Sequence, residues 1–272
     1  MTFEEKYERQ VDKNNSLLCV GLDPVLEKLP PHIQKTDYPF FTFNKAIIDA
    51  TSDVVAAYKP NSAFYEARGA QGIEELKKTC DYLRQNYPEV PIILDYKRGD
   101  IGNTNNEYTV FAFDYLQVDA VTLQPYPGIQ TLQVFLDYKD KGIILLCRTS
   151  NPGSGEFQDL LIDGEPLYLR VAKNVMEKWN THKNCLLVVG ATYPEELAKV
   201  RKIVGDMTLL IPGLGAQGGD LGGTMQAGIN SRKKGMIMSA SRGIIFAGDE
   251  EDFAQKAREE AKKLRDEINT YR

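Results

Sequence analysis

The chain alternates short apolar runs with longer segments of mixed polarity. Each apolar run has the length of a buried β-strand, and turn residues or charged residues bound it. The pattern predicts about eight strands, which lie near Leu17–Gly21, Val54–Lys59, Pro91–Tyr96, Ala120–Gln124, Ile143–Cys147, Leu186–Val189, Thr208–Ile211 and Gly235–Ser239.

Several of the segments between these runs repeat apolar residues at spacings of three and four, which is the period of an amphipathic helix. In the last of them, Phe253, Ala257, Ala261 and Leu264 fall along one stripe. The spacing predicts helices over Gly72–Asn86, Pro166–Asn180, Pro194–Ile203 and Asp249–Tyr271.

Alternating strands and helices indicate parallel strands that are joined by right-handed crossovers. About eight such units in a chain of 272 residues favour a closed (β/α)8 barrel. A doubly wound open sheet is the alternative, because an error of one strand in this count would make the pattern fit either fold. The chain contains no linker, low-complexity segment or internal repeat, so we expect a single catalytic domain over residues 1–272.

Composition narrows the class of protein. The net charge of −5 argues against general nucleic-acid binding, which depends on a basic surface. No apolar run approaches the roughly 20 residues that a transmembrane helix needs, and the first residues lack the apolar core of a signal peptide. These features, together with the cysteines, predict a cytoplasmic protein.

The four cysteines are far apart, and three of them, Cys19, Cys147 and Cys185, sit in apolar strand-like runs. This placement predicts buried free thiols rather than disulfides or zinc ligands. The chain has only two histidines; His32 follows two prolines and His182 lies in a polar turn, so both are expected at the surface. A histidine-centred metal site or a Ser-His-Asp triad is therefore not expected.

Charged residues gather where the predicted strands end, which is where barrel enzymes carry their active sites. Asp95 and Lys97 are two residues apart, so they should share one face of the third strand, and Asp100 follows at its end. Lys59 closes the second strand, and Asp23 follows the first. The structural alternatives are a salt-bridged strand end, a lysine that extends to solvent and an aspartate that caps a turn.

The last two strand ends indicate a phosphate site. A glycine-rich loop with Gln217 follows the seventh strand, and Arg242 with Gly243 follows the eighth. Glycines allow backbone N–H groups to approach an anion, and a guanidinium matches phosphate oxygens. The long polar loop after the fifth strand, which includes Ser150, is suited to contact the edge of a planar ligand or to act as a lid.

An array of Lys59, Asp95, Lys97 and Asp100 would be nearly neutral, and each carboxylate would favour the charged form of the lysines. This argues against a Schiff-base lysine and against a tight divalent metal site. A fixed electrostatic field remains, with one ammonium that can donate a proton. Such a field suits a reaction in which negative charge moves from a carboxylate onto a ring carbon.

The run Asp95–Thr104 resembles the D-x-K-R-x-D-I-x-x-T signature of the orotidine 5′-phosphate decarboxylase family. Gly21–Pro24, Tyr58–Asn61 and Ser239–Gly243 surround it in the order of that family, and the resemblance extends from Leu18 to Ile245. The segment 59–66 and the extended loop 148–157 resemble the longer-chain, type 2 branch.

The resemblance implies a (β/α)8 barrel that decarboxylates orotidine 5′-phosphate to UMP and CO2 in de novo pyrimidine biosynthesis, without cofactor or metal. Lys97 would donate the proton to the ring carbon, Asp95 would lie against the leaving carboxylate, and Lys59 would bridge the charges and contact the ribose. Tyr96 stands where a small residue is common in the family, but its side chain should point away from the site.

The resemblance also implies a homodimer in which the second aspartate of the signature reaches into the partner's site, so that Asp100, Ile101 and Thr104 would serve the neighbouring subunit. The other implied contacts are Asp23 to the ribose hydroxyls, Ser150 to the pyrimidine edge, and Gln217, Gly243 and Arg242 to the phosphate. No nucleic-acid or membrane partner is expected.

Two other functions compete with this interpretation. One is a magnesium-dependent decarboxylase or aldolase that acts on a sugar phosphate, because related barrels share the D-x-K-x-x-D array. The other is a non-catalytic sensor of a phosphorylated ligand, which would need the phosphate donors but not Lys97.

Overall fold

The computed structural model describes residues 1–214 and 220–272, and its central sheet has eight strands. In chain order they are β1 Leu18–Gly21, β2 Ala57–Lys59, β3 Ile93–Arg98, β4 Ala120–Leu123, β5 Gly142–Arg148, β6 Cys185–Val189, β7 Leu209–Pro212 and β8 Met236–Ala240.

All neighbouring strands of this sheet pair in parallel, in the order β2-β1-β8-β7-β6-β5-β4-β3. The two end strands also meet, through parallel bridges between Tyr58 and Ile92 and between Asn61 and Asp95. The sheet therefore closes into the predicted (β/α)8 barrel, and the open doubly wound alternative is wrong.

Helices surround the barrel and connect its strands. Their bounds are α1 Phe3–Asn14, α2 Pro31–Gln34, α3 Pro39–Thr51, α4 Ser62–Glu66, α5 Gly69–Asn86, α6 Thr104–Thr109, α7 Ile129–Leu136, α8 Gly155–Gln158, α9 Leu167–Asn174, α10 Pro194–Val204, α11 Leu221–Gly228, α12 Arg242–Ile245 and α13 Phe253–Asn269. Single π-helical stretches, Val110–Tyr115 and Val175–Trp179, continue α6 and α9.

Each predicted strand is present, with ends that differ by up to three residues. The largest difference is at β2, which begins at Ala57 rather than at Val54, because the Val54 N–H still bonds back to the Thr51 carbonyl at the end of α3. The four predicted helices are confirmed as α5, α9 with its π-helical continuation, α10 and α13.

Helix α1 covers the amino-terminal end of the barrel. Thr2 caps it in a reciprocal capping box with Glu5. The Phe3 ring lies so close to Gly142 that a Cβ there would meet it at 2.6 Å, and the Tyr7 hydroxyl donates to the Met236 carbonyl at 2.6 Å. This end of the barrel is thus filled by packing, and the open end is the one where the strands finish.

The cysteines confirm the expectation of buried free thiols, since Cys19, Cys80, Cys147 and Cys185 are all buried and unpaired. Burial raises the pKa of each thiol to about 12. His32 is exposed as expected, whereas His182 is half-buried. Among the described residues, no helix has both the length and the apolar character that crossing a bilayer requires.

A buried carboxylate on α5 makes the stability of the fold depend on pH. Glu75 is fully buried, and neither of its carboxylate oxygens has a hydrogen-bond partner within the described ranges. Burial raises the pKa of Glu75 to about 7, although the guanidinium of Arg68, with Nε 3.9 Å away, opposes the shift. The protonated form is therefore favoured in the folded state.

We expect Glu75→Gln to flatten the pH dependence of stability. Because the folded pKa lies above the unfolded one, the contribution of Glu75 is full below about pH 4.5 and is lost as the pH rises through about 7. Urea unfolding at about pH 5 and about pH 8 should show the variant more stable than wild type only at the higher pH. Glu74→Gln, on the same helix but half-exposed, is the matched control. Equal pH dependence in wild type and Glu75→Gln would contradict the prediction.

Candidate active site

Asp95 lies at the centre of a charge cluster at the carboxyl end of the barrel. Its Oδ2 is 3.0 Å from Lys59 Nζ, and its Oδ1 is 2.6 Å from Lys97 Nζ. Asp95 and Lys59 are largely buried, whereas about half of the Lys97 side chain is exposed, so the Lys97 ammonium is the more accessible of the two to a ligand. Asp95 and Lys97 share one face of β3, as the spacing predicted.

Charge pairing determines the ionisation of the buried members. Burial by itself would raise the pKa of Asp95, but the positive charges of Lys59 and Lys97 outweigh it, and the pKa lies below its ordinary value. Burial would likewise lower the pKa of Lys59, but the negative charges of Asp95 and Asp23 outweigh it and raise the pKa. The cluster is therefore an ionised carboxylate between ammonium groups.

Tyr96 points away from this cluster, as predicted. Its ring is buried outside the barrel and packs edge-on against Tyr108, with 6.3 Å between centroids, while the Arg98 guanidinium lies 5.8 Å from its centre. The larger side chain therefore occupies space between β3 and α6 rather than space in the site.

Thr122 on β4 is a site residue that no sequence pattern indicates. Its buried hydroxyl donates to Asp95 Oδ1 at 2.8 Å and accepts from the Lys97 backbone N–H at 3.1 Å. Lys97 itself has a φ of 47°, in the left-handed region that is uncommon for residues other than glycine. Threonine is common in strands, so the sequence does not mark Thr122 as a site residue. Its role becomes visible only from the pairing of β4 with β3, which places it opposite Asp95.

The cluster lines the floor of a cavity of about 500 Å³. Lys59, Asp95, Lys97 and Thr122 line this cavity from β2, β3 and β4. The other lining residues come from β5, β6, β7 and the segment after β5, namely Leu146, Thr149, Ser150, Asn151, Gln158, Val188, Leu210 and Pro212. A ligand in this cavity would meet charged, hydrogen-bonding and apolar side chains.

The loop after β5 is held by the buried Arg148. Its guanidinium donates to Ser154 Oγ at 2.6 Å and to Gln158 Oε1 at 3.3 Å, and Gln158 Oε1 also accepts from the Thr149 N–H at 2.9 Å. Ser150, predicted to contact a planar ligand, lines the cavity. A Cβ at Gly190 would come within 2.6 Å of Ser150, so glycine there is what allows the loop to pass.

A second cavity, of about 220 Å³, shares Lys59 and Asp95 with the first. Asp23, Arg242 and Gly243 line it, and Arg242 and Gly243 are exposed. Asp23 Oδ1 accepts from the Asn61 N–H at 3.0 Å. The barrel thus brings these three predicted residues together next to the charge cluster. Gln217 lies outside the described residues.

Asp100, Ile101 and Thr104 do not join the cluster of their own chain. Asp100 Oδ1 accepts from the Ile101 N–H at 2.7 Å, and the ion pairs of Asp95 in the described part of the chain are those with Lys59 and Lys97. Ile101 and Thr104 are exposed. Asn105 fixes the backbone, since it accepts from the Asp100 N–H at 3.0 Å and donates to the Asp100 carbonyl at 2.8 Å.

The site offers little to a metal ion. Within residues 1–214 and 220–272, no group of three His, Cys, Asp or Glu side chains lies close enough together to hold one. The central carboxylate, Asp95, has an ammonium group on each of its two oxygens.

The fold and the site together define a (β/α)8 barrel enzyme with a lysine–aspartate cluster at the carboxyl ends of its strands. The family model described as "Orotidine 5'-phosphate decarboxylase / HUMPS family" matches residues 16–257. The chain belongs to this family.

Similar proteins cover the whole chain. An orotidine 5′-phosphate decarboxylase of Cellvibrio japonicus is 49% identical in an alignment of 274 positions that covers 100% of each chain. The solved OMP decarboxylase of Leishmania donovani superposes with a TM-score of 0.88 at 37% identity, covering 100% of this chain and 98% of that one. The solved UMP synthase of the same organism gives a TM-score of 0.89 at 39% identity, and this chain spans 56% of its length.

Proposed function

We propose that this protein decarboxylates orotidine 5′-phosphate to UMP and CO2, with Lys97 as the proton donor and without a cofactor. The observation that carries the proposal is the ionised Asp95 carboxylate, 2.6 Å from Lys97 Nζ and 3.0 Å from Lys59 Nζ, on the floor of a cavity. Full-length similarity to named decarboxylases supports the choice of substrate.

The proposed reaction uses the cluster as a fixed field. The bond between the ring carbon and the carboxylate carbon breaks, CO2 leaves, and the electron pair stays on the ring carbon. The negative charge of Asp95 disfavours the substrate carboxylate beside it, while the Lys97 ammonium stabilises the developing carbanion and then transfers its proton to it. Lys97 regains a proton from solvent, which its half-exposed side chain can reach.

The remaining predicted residues bind the substrate in this proposal. Ser150 would contact the pyrimidine edge from the loop after β5, and Asp23, with Lys59, would bind the ribose hydroxyls. Arg242 and Gly243 would bind the phosphate at the smaller cavity, together with Gln217. Their support is that Ser150 lines one cavity and that Asp23, Arg242 and Gly243 line the adjoining one. We also propose that residues 1–272 act as one catalytic domain in the cytoplasm, where buried free thiols are ordinary.

We further propose a homodimer in which Asp100, Ile101 and Thr104 complete the partner's site. The support is that Ile101 is 67% exposed, that Thr104 is exposed, and that the Asp100 carboxylate is held away from Lys59 and Lys97 of its own chain. A carboxylate supplied by a second copy would restore the neutrality of the cluster.

Hybrid dimers test whether Asp100 acts across the interface. Lys97→Ala and Asp100→Ala chains should each be inactive alone. When they are unfolded together and refolded, about half of the dimers become hybrids, and each hybrid has one site with both residues intact if Asp100 serves the partner. We therefore expect recovery of about a quarter of wild-type activity. An inactive mixture that contains hybrid dimers by mass spectrometry would show that Asp100 serves its own chain or none.

The substrate is tested by following the ultraviolet absorbance of orotidine 5′-phosphate with purified protein in excess EDTA. We expect conversion to UMP, identified by chromatography. An inert protein would refute the proposal, and sugar phosphates with magnesium would then be the next substrates to assay.

A further inference from the structure

Thr122 stands alone opposite the irregular part of β3. The two strands pair in register at Ile93 with Ala120 and at Leu94 with Val121, and the next pair is Arg98 with Leu123. Three residues of β3, from 95 to 97, therefore lie opposite the single residue Thr122 on β4. A bulge of this kind leaves backbone groups without ladder partners and redirects side chains.

The backbone of Lys97 depends on Thr122 at this bulge. A φ of 47° costs a residue with a Cβ on the order of 1 kcal/mol, so other contacts must hold it. The Lys97 N–H donates to the Thr122 hydroxyl at 3.1 Å, in place of the carbonyl that a regular ladder would supply. A side chain thus performs the task of a missing backbone acceptor.

The same hydroxyl also orients the carboxylate. A threonine hydroxyl has one hydrogen to donate, and Thr122 donates it to Asp95 Oδ1 at 2.8 Å. That oxygen is the one paired with Lys97 Nζ, at 2.6 Å, whereas the other oxygen is paired with Lys59. One side chain therefore holds both the backbone of Lys97 and the carboxylate with which its ammonium pairs.

We propose that Thr122 is a positioning residue for the Lys97–Asp95 pair. It places the ammonium for proton transfer without contacting the reacting carbon itself. The expected change in kcat rests on the proposed function. The hydrogen bonds of Thr122 to Lys97 and Asp95 do not depend on it. Loss of the hydroxyl would leave the Lys97 N–H without this acceptor and would remove one of the hydrogen bonds that orient the Asp95 carboxylate.

The test compares Thr122→Val, which keeps the shape but removes the hydroxyl, with Thr122→Ser, which keeps the hydroxyl. We expect Thr122→Val to lower kcat by about 10- to 100-fold with KM within about threefold of wild type, because misplaced groups cost rate more than binding. Thr122→Ser should retain kcat within about threefold. If Thr122→Val does not fold, Thr122→Ala makes the same comparison.

Thr51→Val is the matched control, because it also removes a buried hydroxyl with two partners. Thr51 donates to the Ile47 carbonyl and shares a hydrogen bond with the Tyr58 hydroxyl, both at 2.7 Å, at the end of α3. It should lower thermal stability without changing kcat. A kcat of Thr122→Val within twofold of wild type, or an equal loss in Thr122→Ser, would overturn the proposal.

A crystal structure of Thr122→Val tests whether Thr122 positions Asp95 and Lys97, and it requires no activity measurement. We expect the Asp95 carboxylate to rotate or Lys97 to leave the left-handed region. If the contact between Lys97 Nζ and Asp95 Oδ1 stays at 2.6 Å and the φ of Lys97 is unchanged, the positioning role of Thr122 is overturned. This result does not depend on activity. A wild type that is inert on orotidine 5′-phosphate would instead count against the proposed function.

Discussion

Lys97→Ala is expected to abolish turnover of orotidine 5′-phosphate while leaving the fold and product binding intact. The side chain is about half exposed, so its removal opens no buried cavity, and Asp95 keeps its ion pair with Lys59. What is lost is the more exposed of the two ammonium groups that line the cavity, the one proposed to give up its proton. Because a positioned general acid contributes about 10²- to 10⁴-fold, and this one also stabilises the carbanion, we expect kcat to fall by at least about 10³-fold.

The measurement is kcat from the absorbance assay, together with calorimetric titration of UMP. The dissociation constant of UMP should stay within about threefold of wild type, because product binding does not require proton transfer. Lys6→Ala is the matched control, since Lys6 forms a similar ion pair with Asp119, at 2.9 Å, at the opposite end of the barrel. A Lys97→Ala variant that keeps a tenth or more of wild-type kcat would exclude Lys97 as the proton donor.

Asp95→Asn is the second substitution for which we expect a large effect. The amide keeps the shape of the carboxylate but removes the charge that faces both lysines, so the buried Lys59 loses the largest contribution that offsets its burial. Its pKa, which Asp95 and Asp23 raise, should fall. We expect kcat to drop by about 10³-fold, because the field that disfavours the substrate carboxylate is lost.

The division between rate and affinity distinguishes this mechanism from simple disruption. If Asp95 acts by repelling the substrate carboxylate, its neutralisation should leave KM unchanged or lower it while kcat falls. A binding defect would instead raise KM. Asp119→Asn is the control, because it removes a carboxylate that pairs with Lys6 and accepts from the Ile92 N–H, far from the site. A large rise in KM with kcat preserved would contradict the electrostatic role of Asp95.

The ionisation of Asp95 also predicts which pH range can affect the cluster. Its folded pKa lies below the ordinary value, so the pair contributes stability above about pH 4 that is lost only as the pH falls towards the folded pKa. The carboxylate therefore stays charged throughout the neutral range. Glu75 behaves in the opposite way, which is why its variant tests stability at higher pH.

Much of the architecture could be predicted because its causes are local. Apolar runs and helical stripes reflect which faces are buried, and these patterns located all eight strands of the sheet. Helix α1 was missed, although Thr2 and Glu5 form a capping box. Its short apolar face contacts the base of the barrel, a surface that exists only after the sheet closes.

The alternation of side chains along a strand is enough to predict that Asp95 and Lys97 share a face and that Tyr96 lies on the other. The rest of the site depends on how the barrel packs. Lys59 reaches Asp95 across 36 positions of the chain because β2 and β3 meet where the barrel closes. Thr122 becomes part of the site because of the register of β4 against the bulge. Such contacts depend on the pairing of distant strands, and no local pattern of residues specifies that register.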